Sequence, residues 1–334
     1  MHPNAGEEPG IPFRMWRKNI SVRPFAWYDI LAFLRYRRQI LCTDSAQALT
    51  RGSPIGPHAF LTRLNPAMEV YTAISLPGGG RQPLIGQVKH PAGHRSARIS
   101  FFMPADALGD SGLPALLESM AVRAGQWGAF HLLAEIDEGC CALDEMRRTG
   151  FSVYAWQRIW QFSARLENQD GAAGTWRPVN SIDENAIRNL YQSLVPPLVQ
   201  SAEPLSSRRL HGWVYLHGGE ILAYVEGMYG PRGIYYQPLI HPAIENVSQV
   251  IAALLKRHPP LPDRPVYIAI RSYQAWLETV VRDLECQVGA RQALMVKHLM
   301  VQQRSSVLAR QSVLEKYAAD SSVPLVQNST LNCE

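Results

Sequence analysis

The sequence predicts an α+β protein with mixed sheets, built as two related domains in tandem. Three observations carry this. First, residues Gly150-Phe151-Ser152-Val153-Tyr154-Ala155-Trp156-Gln157-Arg158-Ile159-Trp160 are echoed by Glu285-Cys286-Gln287-Val288-Gly289-Ala290-Arg291-Gln292-Ala293-Leu294-Met295. Val153, Ala155, Gln157 and Ile159 precede Val288, Ala290, Gln292 and Leu294 by one constant offset. Second, Leu113, Leu116, Leu117, Met120 and Ala121 form the i, i+3, i+4, i+7, i+8 stripe of a core-facing helix. Val247, Val250, Ile251, Leu254 and Leu255 repeat that stripe. Third, both stripes lead through a Gly- or Pro-rich break into a short apolar strand, 130–136 (FHLLAEI) and 266–270 (VYIAI). A repeat this long means paired domains, because solenoid units run about 20–50 residues.

Each half also opens alike. Ile20-Ser21-Val22-Arg23-Pro24 precedes an amphipathic helix through Trp27, Ile30, Leu31 and Leu34. Trp176-Arg177-Pro178-Val179 precedes another through Ile187, Leu190 and Leu194. A hairpin follows in each, turning at Gly78-Gly79-Gly80 and at His217-Gly218-Gly219-Glu220. The expected domains are 17–165 and 175–300, joined by the linker 168–174 (NQDGAAG), with 301–334 a frayed helix and tail.

Composition narrows the function classes. A chain of 334 residues, 46% hydrophobic and 18% charged, can build two ordinary cores. Its longest apolar runs are far too short to span a bilayer, and the first 18 residues hold no signal-peptide core. The five cysteines show no C-x-x-C spacing, so neither a zinc site nor a disulfide framework is expected, and a cytoplasmic location is. A formal charge of +5 is mildly basic. The Arg35, Arg37 and Arg38 cluster and the Arg95, Arg98 pair read as solvated faces or as contacts to an anion. No nucleic-acid motif accompanies them, so a nucleic-acid partner is not expected.

The element order resembles the GNAT fold of the GCN5-related, acyl-CoA-dependent N-acyltransferases. The local match is Ala142, Gly150 and Phe151, which fit that family's N-x-x-A-x-x-L-Y-x-x-x-G-F segment. The resemblance covers both halves and implies a tandem GNAT-like protein. It implies acetyl-CoA or another acyl-CoA as donor and a small-molecule or peptide amine as acceptor. Departures are plain. The family's acid Tyr falls on Met146 and Val281, and its Asn on Gly139 and Gln274. Tyr154 or Tyr273 is the spatial substitute on offer.

The resemblance places the donor in the first half, with the strand 99–103 along the pantetheine arm. The contacts it implies are Phe102, Met103, Gly109, Ser111 and Gly112. Glycine lets backbone N–H groups approach pyrophosphate at a helix N-terminus. Ser111 and Pro114 equally describe an ordinary capped helix, and Asp106 and Asp110 oppose an anion there. The second half has no glycine between Gly233 and Gly289, and its Ile240-His241-Pro242 loop with Glu245 suits a pyrophosphate poorly. Carboxylates able to deprotonate an amine are Glu135, Asp137 and Glu226. Glu135 is chosen, since its apolar strand would desolvate it and its counterpart in the repeat, Ile270, is not acidic. A non-catalytic tandem scaffold is the alternative function. An aminoacyl-tRNA-dependent transferase is a third, without the inserted coiled-coil arm many of that class carry.

Overall fold

The computed structural model describes residues 20–54, 67–78, 82–109, 112–163, 173–205, 210–284 and 286–299. Ser111, most of the proposed linker, residues 17–19 and the tail from 300 onward lie outside them.

In the first half β1 (Ile20–Pro24) runs through a 310 turn into α1 (Ile30–Tyr36), β2 (Leu41–Cys42) and α2 (Ser45–Arg51). An antiparallel meander follows, β3 (Met68–Pro77), β4 (Leu84–Pro91) and β5 (Ser96–Met103). Then come α3 (Gly112–Gln126), β6 (His131–Asp137), α4 (Ala142–Arg148) and β7 (Ser152–Phe162). The second half repeats the order with β8 (Thr175–Pro178), a 310 turn, α5 (Glu184–Leu194) and α6 (Pro197–Ala202). Its meander is β9 (Trp213–His217), β10 (Glu220–Tyr229) and β11 (Ile234–Ile240). It closes with α7 (Val247–Arg257), β12 (Val266–Arg271), α8 (Leu277–Arg282) and β13 (Gln287–His298).

The opening of each half is locked by the same device. Arg23 grips Asp29 through two hydrogen bonds of 2.6 Å, and Asp29 also accepts from the Ala26 amide. Arg177 grips Asp183 at 2.6 and 2.7 Å, and Asp183 accepts from the Asn180 amide. The two-pronged geometry satisfies a helix start and fixes the entering strand.

The halves do not keep separate sheets. One 13-stranded sheet runs β1-β3-β4-β5-β6-β13-β7-β12-β11-β10-β9-β8, with β2 pairing β5 off this path. The order reads alike from both ends, because the last strands are exchanged. β13 lies against β6 of the first half, and β7 against β12 of the second. Register obeys the repeat: Ala134 stands opposite Met295, and its counterpart Ile268 opposite Trp160. Long terminal strands permit this, and the exchange leaves neither inner strand as an open edge.

The helix stripes read from sequence are buried as expected. Leu113, Leu116, Leu117 and Met120 pack on one half, and Val247, Val250, Ile251, Leu254 and Leu255 on the other. Helix α1 departs from expectation. Trp27, Leu31 and Leu34 are exposed, and Phe25, Phe33 and Tyr36 make the contact with Phe101 and Met103 instead. The stripe is the outer face of α1.

Candidate functional site

Parallel strands that pair briefly and then part leave a fork, and each half has one. β5 and β6 pair from Ser96–Arg98 against His131–Leu133. β11 and β12 pair from Ile234–Tyr236 against Val266–Ile268. In the first half the fork is filled by the chain itself. Leu41 and Cys42 pair with Phe102 and Phe101. Thr43 donates its amide to Ser100 and its hydroxyl to Ile99, and its carbonyl accepts from the Glu135 amide at 3.1 Å. In the second half the Gln274 side chain donates to the Ile240 carbonyl at 3.0 Å. Among the described residues no strand enters there as β2 does in the first half.

This bears on the donor contacts read from sequence. Phe102 and Met103 are fully buried, and the strand edge expected to meet a pantetheine arm is taken by residues 41–43. Gly109 is open, and a Cβ there would meet nothing within 4 Å. Gly112 is different. A Cβ there would lie 3.0 Å from Ser75 Oγ, so that glycine serves the close approach of α3 to β3. The β5 edge of the first-half cleft is therefore occupied by residues 41–43. Met146 and Val281, where the family keeps its acid, are both fully buried.

A cavity of about 410 Å³ opens on the sheet face that carries α2, α5 and α6, lined by both halves. Its walls include Arg98, Glu135, Glu203, Glu226, Tyr235 and Arg271. The size suits a small ligand. β5 contributes Arg98, β6 Glu135, β10 Glu226 and β12 Arg271, while Glu203 follows the short α6. Helices α2 and α6 each cross toward the opposite half. α2 lies against β10 and β11, and the end of α6 meets β5, where Ser96 donates to the Ala202 carbonyl at 2.7 Å.

The charges form one chain. Arg98 donates to both Glu135 and Glu203, and Arg271 reaches Glu203 at 3.2 Å. Burial pushes the Glu203 carboxyl up, but the Arg271 and Arg98 guanidiniums outweigh it and hold the group at about 2. The Tyr154 hydroxyl is held well above its usual range, first by burial and then by the Glu203 charge. Tyr154 is buried beside that charge.

Glu135 sits where sequence placed it, at the cavity and only 5% exposed. It is not idle. Its carboxylate accepts from the Ser45 amide at 2.9 Å, from Gln157 at 3.3 Å and from Arg98 at 3.3 Å. Burial raises it, and Arg98 pulls the other way. The sheet register corrects its counterpart. Glu135 faces Leu294 and Ala269 faces Ile159, so the equivalent residue is Ala269, not Ile270. A one-residue error on a strand changes the face, and Ile270 belongs to the core under α7 and α8.

Glu226 contrasts with Glu135. It is accessible, lines the same cavity, and meets no hydrogen-bond or ion-pair partner among the described residues. Partial desolvation by the protein around this accessible group, and then repulsion from Glu203, raise it. Asp137 is turned away into a hydrogen bond from Gln292 at 2.9 Å. His241 accepts from the Ala243 amide in its own loop. Glu203 and Arg271 were missed in the sequence. The available signal was Arg271 itself, a charge ending an apolar strand, which requires a buried partner.

Comparison with solved structures places the fold. A GCN5-related N-acetyltransferase from Sphaerobacter thermophilus superposes with a TM-score of 0.52 at 13% identity, covering 87% of this chain and 97% of that one. A tandem GNAT protein from the clavulanic acid biosynthesis pathway gives 0.49 at 14% identity, covering 84% and 99%. The fold is thus the GNAT fold. No family model and no curated protein matches the sequence. Among the described residues, no helix is long and apolar enough to cross a membrane, and no group of three or more His, Cys, Asp or Glu could hold a metal ion.

Proposed function

We propose that the protein is an N-acyltransferase whose acceptor amine binds in the central cavity. The unpartnered Glu226 carboxylate carries this reading. An ammonium must shed a proton before its nitrogen can attack an acyl carbon. A carboxylate raised by its surroundings accepts that proton nearer neutrality than an ordinary one. Glu226 is therefore favoured over Glu135, whose three hydrogen bonds make it the anchor for α2 and Arg98.

Acetyl-CoA or a related acyl-CoA is the donor that the fold suggests. Its place in the first half, along Gly109 and the β5 edge, requires residues 41–43 to leave the fork. That same filled fork supports the second reading, a non-catalytic binding scaffold. The cytoplasm is the proposed compartment, on the unpaired thiols of Cys42, Cys140, Cys141 and Cys286.

The deciding experiment incubates the full chain with acetyl-CoA and a panel of amines, and reads acyl transfer and thermal shift together. A donor at a hundredfold excess over its Kd stabilises by about 2.7 kcal/mol. Acyl transfer with a donor-dependent shift supports the enzyme. Neither transfer nor shift from any acyl-CoA leaves the scaffold.

A further inference from the structure

Within the cavity nearly every charged group is already committed. Glu203 is taken by Arg98 and Arg271. Glu135 is taken by Ser45, Gln157 and Arg98. Among the described residues the exposed Arg95 has no side-chain partner, and two further groups of opposite sign are left over. One is the Glu226 carboxylate. The other is part of Arg271. This residue is 3% exposed, its Nη2 serves Gln237 and Glu203, and its Nε and Nη1 have no hydrogen-bond partner. Buried guanidinium nitrogens without acceptors are a strong demand for one.

A plain amine would satisfy Glu226 and leave Arg271 wanting. A plain carboxylate would satisfy Arg271 and add to the repulsion already acting on Glu226 from Glu203. Only a ligand carrying both charges answers both.

We infer that the acceptor is a small amine bearing a carboxylate, an amino acid in the broad sense, with its carboxylate at Arg271 and its ammonium at Glu226. The inference rests on the acyl-transfer reading for the word acceptor, but its binding claim stands alone. Space is not limiting, since about 410 Å³ holds such a molecule with room for a side chain.

The test is calorimetric titration of the full chain, without any acyl donor, with glycine, 4-aminobutanoate and lysine. Butylamine and butanoate serve as the one-charge controls. At least one amino acid should bind tenfold or more tightly than either control. Glu226→Gln should erase the advantage over butanoate, and Arg271→Gln the advantage over butylamine. Arg271→Gln also removes a partner of Glu203. If that variant does not fold, Glu226→Gln on the accessible wall decides alone. Butylamine binding as tightly as every amino acid overturns the inference, and so does silence from the whole panel. Amino-acid binding with no acyl transfer to it keeps the inference and removes the enzyme reading. Transfer to amines lacking a carboxylate, with no amino-acid preference, does the reverse.

Discussion

Gln157 and Gln292, equivalent residues of the two halves, meet face to face. They stand opposite one another across β7 and β13, and Gln157 Nε2 donates to Gln292 Oε1 at 2.8 Å. The pair marks the local axis relating the halves. From it the symmetry breaks in both directions. Gln157 also donates to Glu135, while Gln292 donates to Asp137 and accepts from Ser45 at 3.1 Å. The cavity chemistry therefore begins where the duplication is most exact in sequence and least exact in neighbours.

This pair makes a first prediction. Gln157 is 2% exposed, and Gln157→Leu removes one of the two donors to the Gln292 carbonyl, leaving Ser45 alone, and takes a donor from Glu135. It should cost about 1–3 kcal/mol by urea unfolding. A cycle with Gln292→Leu should show coupling of about 1 kcal/mol. Strict additivity would mean that the contact contributes nothing.

The repeat, the helix stripes, the hairpins and the GNAT fold were legible because each is a periodic or local pattern. The strand exchange was not. β7 and β13 carry nearly the same alternation, so no residue pattern says which half's inner strand each will join. The Arg23–Asp29 and Arg177–Asp183 locks could have been read, since both show the same Arg-Pro opening and the same spacing to Asp. Glu135 was found because an acid inside an apolar strand is conspicuous. Glu203 sits in an irregular segment after α6, and nothing local distinguishes it from a solvated loop acid. Its role comes from Arg98 and Arg271, which arrive from distant strands.

Glu203 should dominate acid unfolding. Its folded value is about 2 against an ordinary 4.5, so its stabilisation is fully present above about 4.5. That contribution is lost as pH falls toward 2. Glu203→Gln should lower stability at pH 7 by about 3 kcal/mol, because it leaves the buried Arg271 without its carboxylate and Arg98 with Glu135 alone. It should also flatten the acid limb of a plot of Tm against pH. An unchanged acid limb in that variant would assign the limb to other carboxylates.

Lys89 should act at the other end of the scale. It is 6% exposed on β4 and donates to Gln47 at 2.9 Å. Burial pushes it down to about 8, Asp44 opposing and Arg51 assisting. Between about 8 and its ordinary 10.5 the unfolded chain holds a proton that the folded one has lost, so stability should rise with pH there. Lys89→Met should abolish that rise and be no less stable than the parent at pH 7. Chemical unfolding at pH 7, 8 and 10 gives the comparison.

The two cavity carboxylates should separate in turnover. If Glu226 takes the proton from the bound ammonium, Glu226→Gln lowers kcat/KM for the amine by about a hundredfold. The loss should shrink as pH rises toward the amine's own range, because hydroxide and water then relieve the need for a base. Glu135→Gln keeps one acceptor oxygen, enough for the Ser45 amide or for Arg98 but not for both, so its main effect should be on stability, about 1–3 kcal/mol, through Arg98 and the start of α2. Its residual activity, measured on folded protein, should keep the parental pH profile. A hundredfold loss in folded Glu135→Gln with full activity in Glu226→Gln would exchange the two roles and return the proton to the residue that sequence alone selects.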